Sequence, residues 1–529
     1  MTAPAQPETT RQPNVVLICV DQWRGDCLSA DGHPIVRTPY LDALAARGAR
    51  FRNAYSATPT CVPARMALLT GLSQERHRRV GYQDGIDFDI AETLPRTLSE
   101  HGYQTQAIGK MHYSPERIRI GFDDVILHDG YLHHSRRRER DPRFYDDYLT
   151  WLRAQAGTSA VEDYFDNGIN CNSVVARPWD KAERLHPTNW VVTEAENWMY
   201  RRDPTRPFFL YLSFHRPHAP YDPPAWAFEQ YLDVPEHEPP VGDWVGEFAH
   251  LRNDALPDAN VARYDARTAH RARAGYYGHI SHIDAQINRF LEMLAEFGVA
   301  DDTYILFTSD HGDMLGDHDM WRKGYPYEGS ARVPMILAGP TIAPGQRCDD
   351  IVELRDVMPT LLGCAGVDGP DDLDGRDLRG AIAVQESVPW TPAPMVASSD
   401  AGAVVAGASD AVVSDAGASD AGRSLPADEP HLHGEHVILG QSMQWIRAGR
   451  WKYVWLSASG REQLFDLVDD PQELHNLAGD PGADEALRAC RARLIADLRG
   501  RPEGFVDGDA LVSGRAVLSM LPEPHAPVG

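Results

Sequence analysis

Cysteine is scarce in this sequence, and the spacing of the cysteines is not that of a disulfide scaffold or a structural zinc site. Only seven occur among 529 residues, an odd number with no Cys-x-x-Cys pair. Scaffolds held by disulfides and structural zinc sites need denser or paired cysteines. Neither kind of scaffold is therefore expected, and six of the seven are interpreted as ordinary thiols. The seventh, Cys61, lies in an unusual setting.

Positive charge is also in short supply. The chain carries 51 Lys and Arg against 77 Asp and Glu, a formal net charge of −26. Nucleic acids and anionic membranes bind basic surfaces, so neither nucleic acid nor membrane is expected as a partner. A local cluster of cations can still bind a small anion, so an anionic small-molecule substrate is compatible with this composition.

Long apolar runs are missing as well. No stretch approaches the roughly 18 apolar residues that cross a bilayer. The N-terminal sequence MTAPAQPETTRQPN has no apolar segment of the kind found in signal peptides. The sequence therefore predicts a soluble, cytoplasmic protein, and it leaves open whether copies of the chain form an oligomer.

What the sequence does contain is an alternation of strand and helix patterns. Short runs such as NVVLICV (14–20) and DTYILFTS (302–309) have the composition of buried strands, and 274–298 has helical spacing. Further strands are predicted at 105–109, 207–214 and 332–339, and further helices at 39–48, 94–102 and 353–366. This order predicts an α/β fold, with a large, mostly parallel sheet sandwiched by helices.

The composition changes sharply near residue 395. Near-copies of SDAG recur through 395–425, and such a segment cannot bury enough apolar surface to become ordered. Beyond it, 444–467 alternates apolar and polar residues across a Ser-Gly turn, which predicts an antiparallel hairpin, and 484–500 is an amphipathic helix. We predict four parts: a flexible arm (1–13), a main α/β domain (14–392), a low-complexity disordered insert (393–428) and a smaller C-terminal α+β domain with an antiparallel sheet (429–529).

Polar side chains follow directly after several of the predicted strands. They are Asp21 with Gln22, Lys110 with His112, His215 with His218, and Asp310 with His311 and Asp313. Ligands of parallel α/β sheets bind beyond the carboxyl ends of the strands. Two carboxylates, an amide and an imidazole form a hard, oxygen-rich set that suits Ca²⁺, Mg²⁺ or Mn²⁺. The alternative for each residue is that it only ends its strand.

Cys61 lies in the stretch TCVPARMALLTG (60–71). Pro63 suits the first turn of a helix, so Cys61 is predicted to lie just ahead of a helix N-terminus, where the helix dipole favours a negatively charged nucleophile. Arg65 is one turn further on and could reach back. The residues alone leave four interpretations of Cys61: a nucleophilic thiol, a metal ligand, half of a disulfide, or the precursor of a modified residue.

The same stretch resembles the signature of the type I, formylglycine-dependent sulfatases of the alkaline phosphatase superfamily. Cys61-Val62-Pro63-Ala64-Arg65 is followed by Leu69-Thr70-Gly71, as in that signature. Other blocks of the family occur in the family's order over roughly residues 14–478: VDQWRGD, GKMH, RPHAPYDPP, SDHGDMLGDH, GRWKY and LFDLVDDPQELHNLA. Together these blocks identify the chain as a member of the family.

The resemblance implies a chemistry for each matching residue. A separate formylglycine-generating enzyme would oxidise Cys61 to formylglycine (3-oxoalanine), whose hydrate is the nucleophile. The implied ligands of one divalent metal ion are Asp21, Gln22, Asp310, His311 and the modified residue 61. Lys110 and Lys323 would bind sulfate oxygens, His218 would protonate the leaving group, His112 would help to release sulfate, and Arg65 would orient the hydrate.

Two metal positions depart from the common arylsulfatase pattern. Gln22 stands where that pattern has an aspartate and His311 where it has an asparagine, as in choline sulfatases and phosphonate monoester hydrolases, whereas GKMH is closer to arylsulfatases. The resemblance therefore implies hydrolysis of a small sulfate monoester, with phosphonate monoester or phosphodiester hydrolysis as the alternative. Ca²⁺ is the favoured ion, with Mn²⁺ or Mg²⁺ as alternatives. A catalytically silent binding protein of the same fold is a third interpretation.

Three other features have plain interpretations. His215 is expected to be structural, and Asp313 to cap a turn or to hold a metal ligand. The histidine-rich segment HLHGEH (431–436) could suggest zinc, but we expect it to lead the C-terminal domain over the site and to shape its pocket. The arginine run at 135–140 is expected to be a solvated loop.

Overall fold

Two β-sheets organise the chain. The computed structural model describes residues 12–130, 141–165, 171–235, 238–384 and 425–523. The arginine run, all but the last two residues of the predicted arm and most of the predicted insert lie outside these ranges. The strands of the larger sheet are β1 (Asn14–Asp21), β2 (Ala49–Tyr55), β3 (Gln104–Gly109), β4 (Asp124–Leu127), β5 (Phe208–Pro217), β6 (Thr303–Ser309), β7 (Arg332–Ala338) and β8 (Gln346–Glu353).

The larger sheet has the order β4-β3-β5-β1-β6-β7-β2-β8. All its neighbours pair in parallel except β7, which runs antiparallel to both β6 and β2. Alternate residues of β1 face opposite sides of the sheet: Val16 and Ile18 pack into one apolar core, and Val15 and Leu17 into another. A strand buried on both faces reads as a continuous apolar run, which is why NVVLICV predicted this strand correctly.

Helices cover both faces of this sheet. They are α1 (Pro39–Ala46), α2 (Cys61–Thr70), α3 (Leu94–Glu100), α4 (Asp147–Ala156), α5 (Thr158–Phe165), α6 (Pro187–Met199), α7 (Ala225–Leu232), α8 (Ala266–Glu296), α9 (Glu328–Ala331) and α10 (Val357–Ala365). The predicted α/β class, with a mostly parallel sheet between helices, is confirmed.

The longest helix, α8, begins earlier than the sequence pattern predicts. Its 31 residues start at Ala266 rather than near 274, because the side chain of Asp265 accepts a hydrogen bond from the backbone N–H of Thr268 at 3.0 Å and caps the first turn. The first residues, ARTAHRAR, are too polar to show apolar spacing. Within the described ranges, no helix is long and apolar enough to cross a membrane, and the cytoplasmic location stays a prediction.

A second sheet follows in the C-terminal part of the chain. Its four antiparallel strands, in the order β12-β11-β10-β9, are β9 (His431–Ile438), β10 (Gln441–Ala448), β11 (Trp451–Leu456) and β12 (Glu462–Asp466). The helix α11 (Asp484–Leu498) packs an apolar face on this sheet, with Cys490 and Leu494 buried against Tyr453 and Trp455. The predicted hairpin corresponds to β11 and β12, which flank the Ser-Gly turn.

The strand β9 connects the C-terminal sheet to the segments on either side of α2. The backbone N–H of Glu435 donates to the carbonyl of Ala57 at 2.8 Å, and that of Val437 donates to the carbonyl of Val80 at 3.3 Å. These two partners lie on either side of α2 in the sequence. The C-terminal sheet is therefore attached directly to the segments that carry Cys61.

Candidate active site

Four neighbouring parallel strands deliver the predicted polar residues to one edge of the larger sheet. The strands β3, β5, β1 and β6 are consecutive in the sheet, and their carboxyl ends lead into Lys110, His218, Asp21 and Asp310, respectively. Ligand sites in such sheets form beyond the carboxyl ends of the strands. All of the catalytic and metal-ligating residues suggested by the sequence lie in or around this one edge.

A compact group of ligand atoms forms the centre of the site. One atom each from Asp21, Cys61, Asp310 and His311 lies within 4.8 Å of the other three, and all four residues are buried. The Nδ1–H of His311 donates to the carbonyl of Gly312 at 3.0 Å, which leaves Nε2 directed at Cys61 Sγ, 3.3 Å away. Two buried carboxylates beside an imidazole whose second nitrogen is already held fit a divalent cation.

Gln22 is oriented by groups on both sides of its amide. Its Nε2 donates to Asp313 Oδ2 at 2.5 Å, and its Oε1 accepts from Lys323 Nζ at 2.8 Å. A carboxylate only accepts and an ammonium only donates, so the amide has one orientation. Gln22 also has a left-handed backbone, with φ at 73°. Such strain in a non-glycine residue is typical of functional sites.

Arg65 is fully buried beneath the site. Its Nε donates to Asp310 Oδ2 at 2.9 Å, and its Nη1 donates to Tyr211, Ser213 and the carbonyl of Lys110 at distances between 2.7 and 2.9 Å. The guanidinium therefore neutralises a buried carboxylate and fixes the backbone directly after Lys110. The sequence suggested that Arg65 reaches back towards residue 61. The structure instead directs it at Asp310.

Cys61 is the first residue of α2 rather than the residue ahead of it. Its side chain is 2% exposed, and Lys110 Nζ lies 3.6 Å from its Sγ. Burial and the Asp21 carboxylate act to raise the pKa of the thiol, but the positive charges of Lys110, Lys323 and His311 outweigh them and lower it. The site therefore favours negative charge on whatever group residue 61 carries.

The charged groups around Cys61 alter one another's pKa values. Lys110 forms a buried ion pair with Asp21. Burial opposes ionisation of Asp21, yet the positive charges of Lys110 and Lys323 hold its pKa well below the usual value. The pKa of His218 is lowered by burial and by Lys323, so its ring is neutral in this structure.

His218 and His112 are each held in a fixed position. The Nδ1–H of His218 donates to the carbonyl of Ala219 at 2.8 Å, so Nε2 is left for the site. The backbone N–H groups of Met111 and His112 both donate to Asp129 Oδ1, at 2.8 and 2.9 Å. The two imidazoles are therefore presented to the same cavity from β5 and β3.

A cavity of about 320 Å³ opens above these residues. Its floor contains Cys61, Lys110 and Lys323, and one of its walls contains Val437 and Ile438 of β9, with Tyr82 also lining the cavity. Cavities of this size suit small ligands. Two ammonium groups on the floor suit an anion, and the apolar wall suits an organic substituent.

The histidine-rich segment does not converge on a zinc ion. His431 pairs with Asp497, His433 bonds to Gln444, and Glu435 is held by Arg501, whereas His436 lines the cavity. A different buried group, His186 with Asp222 and His279, has ligand-like spacing. Its carboxylate already accepts two hydrogen bonds from Arg216, at 2.9 and 3.1 Å, so we interpret it as structural.

Several supporting residues were missed by the sequence analysis. Tyr211 and Ser213 are two apart on β5, so they face the same side, and this period could have paired them with Arg65. Asp129 and Tyr221 left no comparable signal, because each acts through a loop whose course only the fold reveals. His215 lines the cavity next to His218, with ring centroids 5.2 Å apart.

The fold and the site together define a class, the ester hydrolases of the alkaline phosphatase superfamily. Within that class the sequence matches the sulfatase family over residues 13–367. The chain belongs to the sulfatase family. It is therefore an enzyme, a sulfuric ester hydrolase of arylsulfatase-like type.

Individual relatives are similar along nearly the whole chain. An arylsulfatase of Clostridium perfringens is 42% identical over 519 residues, which cover 96% of this chain and 99% of that protein. A choline-sulfatase of Rhizobium meliloti is 30% identical, covering 89% and 84% of the two chains. Among solved structures, the phosphonate monoester hydrolase of Agrobacterium radiobacter superposes with a TM-score of 0.67 at 26% identity, covering 91% and 96%.

Proposed function

We propose that this protein hydrolyses a small sulfate monoester with a formylglycine hydrate made from Cys61. The observation that supports this most strongly is the environment of residue 61. Its Sγ lies 3.3 Å from His311 Nε2, 3.6 Å from Lys110 Nζ and 3.8 Å from Asp21 Oδ1. A thiol between a prospective metal site and an anion-binding ammonium is placed where a nucleophile is needed.

Residue 61 would carry two hydroxyl groups after oxidation to the aldehyde and hydration. Asp21, Gln22, Asp310, His311 and one of these hydroxyls would hold a divalent metal ion, with Ca²⁺ favoured and Mn²⁺ or Mg²⁺ as alternatives. When bound, such an ion supplies Lewis acidity and makes an oxygen nucleophile available at neutral pH.

The lysines and His218 serve the first half of the reaction. Lys110 and Lys323 bind sulfate oxygens and offset their charge while residue 61 attacks sulfur. Negative charge builds up on the leaving oxygen at the same time. The bound sulfate offsets the charge of Lys323, so His218 can take up a proton at Nε2 and donate it to that oxygen.

His112 serves the second half. After attack, residue 61 carries a sulfate ester and one remaining hydroxyl on the same carbon. His112 accepts the proton of this hydroxyl, the C–O bond to sulfate breaks, and the aldehyde is restored. A plain serine or cysteine ester would need water to attack sulfur again, so the second hydroxyl explains the need for a modified residue.

The decisive experiment measures the modification and the activity together. Protein produced with a formylglycine-generating enzyme should show an aldehyde in place of the thiol in the peptide that carries residue 61, and it should hydrolyse 4-nitrophenyl sulfate. Cys61→Ala should abolish this activity, whereas Cys490→Ala, which removes a buried thiol of α11, should retain it. Full activity of protein whose residue 61 is unmodified would refute the proposal.

Phosphonate monoester or phosphodiester hydrolysis is the second candidate. It is favoured by Gln22 and His311, whose amide and imidazole replace a carboxylate and an amide of the common arylsulfatase pattern, and by the similarity to the Agrobacterium radiobacter hydrolase. The same protein should be assayed on 4-nitrophenyl sulfate and on a phenyl phosphonate ester. A kcat/KM much higher for the phosphonate would favour this second candidate over the first.

A further inference from the structure

His436 is a buried polar side chain that the proposed reaction does not use. It is 5% exposed and lines the cavity; its Nδ1 faces the backbone of Gly324, whereas its Nε2 has no hydrogen-bond partner among the residues that the structure describes. Buried polar groups are almost always paired, so an unpaired one needs an explanation. A group that binds in the cavity would supply the missing partner.

The position of the ring is fixed from several sides. Glu435, the preceding residue, accepts two hydrogen bonds from Arg501, at 2.7 and 2.9 Å, on the opposite face of β9. Gly324 lies so close to the ring that a Cβ there would be 2.9 Å from His436 Nδ1. The imidazole is therefore held beside the Lys323–Gly324 backbone, on the side of the sulfate site that Lys323 defines.

The chemistry of the ring indicates what it binds. Burial lowers the pKa of His436 to about 3, so the ring is neutral at pH 7; with its Nδ1–H directed at the Gly324 backbone, its Nε2 is an acceptor. Sulfate oxygens only accept, and Lys110 and Lys323 are already available to them. A hydroxyl can donate to Nε2, whereas a sulfate oxygen cannot.

We propose that His436 is a specificity-determining residue that hydrogen-bonds a hydroxyl group next to the sulfate ester on the alcohol part of the substrate. Because the ring lies beside the Lys323–Gly324 backbone, we assign this hydroxyl to the carbon adjacent to the one that carries sulfate. The substrate class is thus the monosulfate of a vicinal diol, in a catechol or a sugar. This inference rests on the sulfatase function proposed above.

Two probe substrates separate this role from others. 4-Nitrocatechol sulfate has a hydroxyl next to the ester, and 4-nitrophenyl sulfate does not. Their dissociation constants should be measured with metal-loaded Cys61→Ala, which does not turn them over. Adding His436→Phe should weaken binding of 4-nitrocatechol sulfate about 5- to 10-fold, as for one lost hydrogen bond, and leave 4-nitrophenyl sulfate within about 2-fold.

Further variants guard against a structural explanation. His436→Gln keeps a donor and an acceptor, so it should recover part of the preference for the catechol ester, and His436→Leu provides a second apolar variant if His436→Phe does not fold. Equal weakening of both esters would show a sulfate contact and overturn the inference. Unchanged binding of both esters would overturn it as well.

The same measurements keep the two proposals apart. If the modified wild-type protein hydrolyses neither ester but the difference in binding depends on His436, the proposed function fails and this inference stands. If both esters are hydrolysed and His436→Phe does not alter the preference, the function stands and the inference fails. If neither ester binds, both fail.

Discussion

The substitution Asp313→Asn should weaken metal binding although Asp313 is not itself a proposed ligand. In the structure, Asp313 Oδ2 accepts hydrogen bonds from Gln22 Nε2 at 2.5 Å and from the hydroxyl of Tyr221 at 3.0 Å. Its Oδ1 accepts from the backbone N–H groups of Leu315 and Arg322, at 2.8 and 2.9 Å. All four partners of this buried carboxylate donate.

An asparagine at this position can accept hydrogen bonds from only one of the two pairs of donors, because only one of its two terminal atoms is an oxygen. Its oxygen takes the two backbone N–H groups, so its NH₂ group then faces the NH₂ group of Gln22. Gln22 must rotate its amide, which turns its nitrogen towards Lys323 and the metal site. Substitutions beside metal ligands typically lower affinity about 10- to 100-fold, or about 1.4 to 2.8 kcal/mol.

A double substitution tests this explanation directly. In Gln22→Glu with Asp313→Asn, the NH₂ group of the new asparagine donates to the new carboxylate, whose other oxygen faces Lys323. Titration calorimetry of Ca²⁺ and Mn²⁺ into metal-stripped protein should show weak binding for each single variant and recovery in the double variant. An Asp313→Asn affinity within about 2-fold of wild type, against the expected 10-fold or more, would refute the reasoning, as would failure of the double variant to recover.

Three further predictions concern stability and packing. Lys452→Met removes the ammonium group that lies 2.6 Å from Glu328 and 2.9 Å from Glu473. Glu328 keeps its ion pair with Arg332, but the buried Glu473 loses its cation. Chemical denaturation should show a loss of about 3 to 5 kcal/mol in the free energy of unfolding, and a loss below about 1 kcal/mol would contradict this. Tyr211→Phe removes one hydrogen bond to Arg65, so we expect the free energy of unfolding to fall by about 1 to 3 kcal/mol with the cavity retained. An unchanged midpoint of chemical denaturation would argue against this. Burial lowers the pKa of His282 to about 3, below its value in the unfolded chain. The stability that comes from keeping this ring neutral is therefore present above pH 6.5 and is lost as the pH falls. His282→Gln should reduce the loss in free energy of unfolding between pH 6.5 and 4 by about 3 kcal/mol, and an unaltered dependence of stability on pH would count against this.

The sequence predicted the fold class and the convergence of the polar residues on one sheet edge because both depend on local patterns. Strands such as β1 and β6 are buried on both faces, so their apolar runs and the polar residues that end them are visible in the sequence. Parallel strands bring their carboxyl ends together by topology. The convergence of Asp21, Lys110 and Asp310 therefore followed from the strand pattern alone.

What the sequence could not predict depends on contacts between distant segments. Arg65 was expected to turn towards residue 61, but its Nε and Nη1 donate to Asp310, Tyr211 and Ser213 instead. The role of Asp313 depends on the side chain of Gln22, nearly three hundred residues away. Side-chain direction across such separations is determined by packing rather than by spacing.

The strand β9 has a consequence for the order in which this protein is made. The residues around Cys61 are synthesised early, whereas the wall formed by His436 to Ile438 follows some 375 positions later, about 20 to 75 s at typical elongation rates. Until that strand pairs with Ala57 and Val80, the peptide that carries Cys61 lacks this cover. In the finished fold the thiol is 2% exposed, so the maturation enzyme of the proposed mechanism would need to reach residue 61 before the C-terminal sheet is complete.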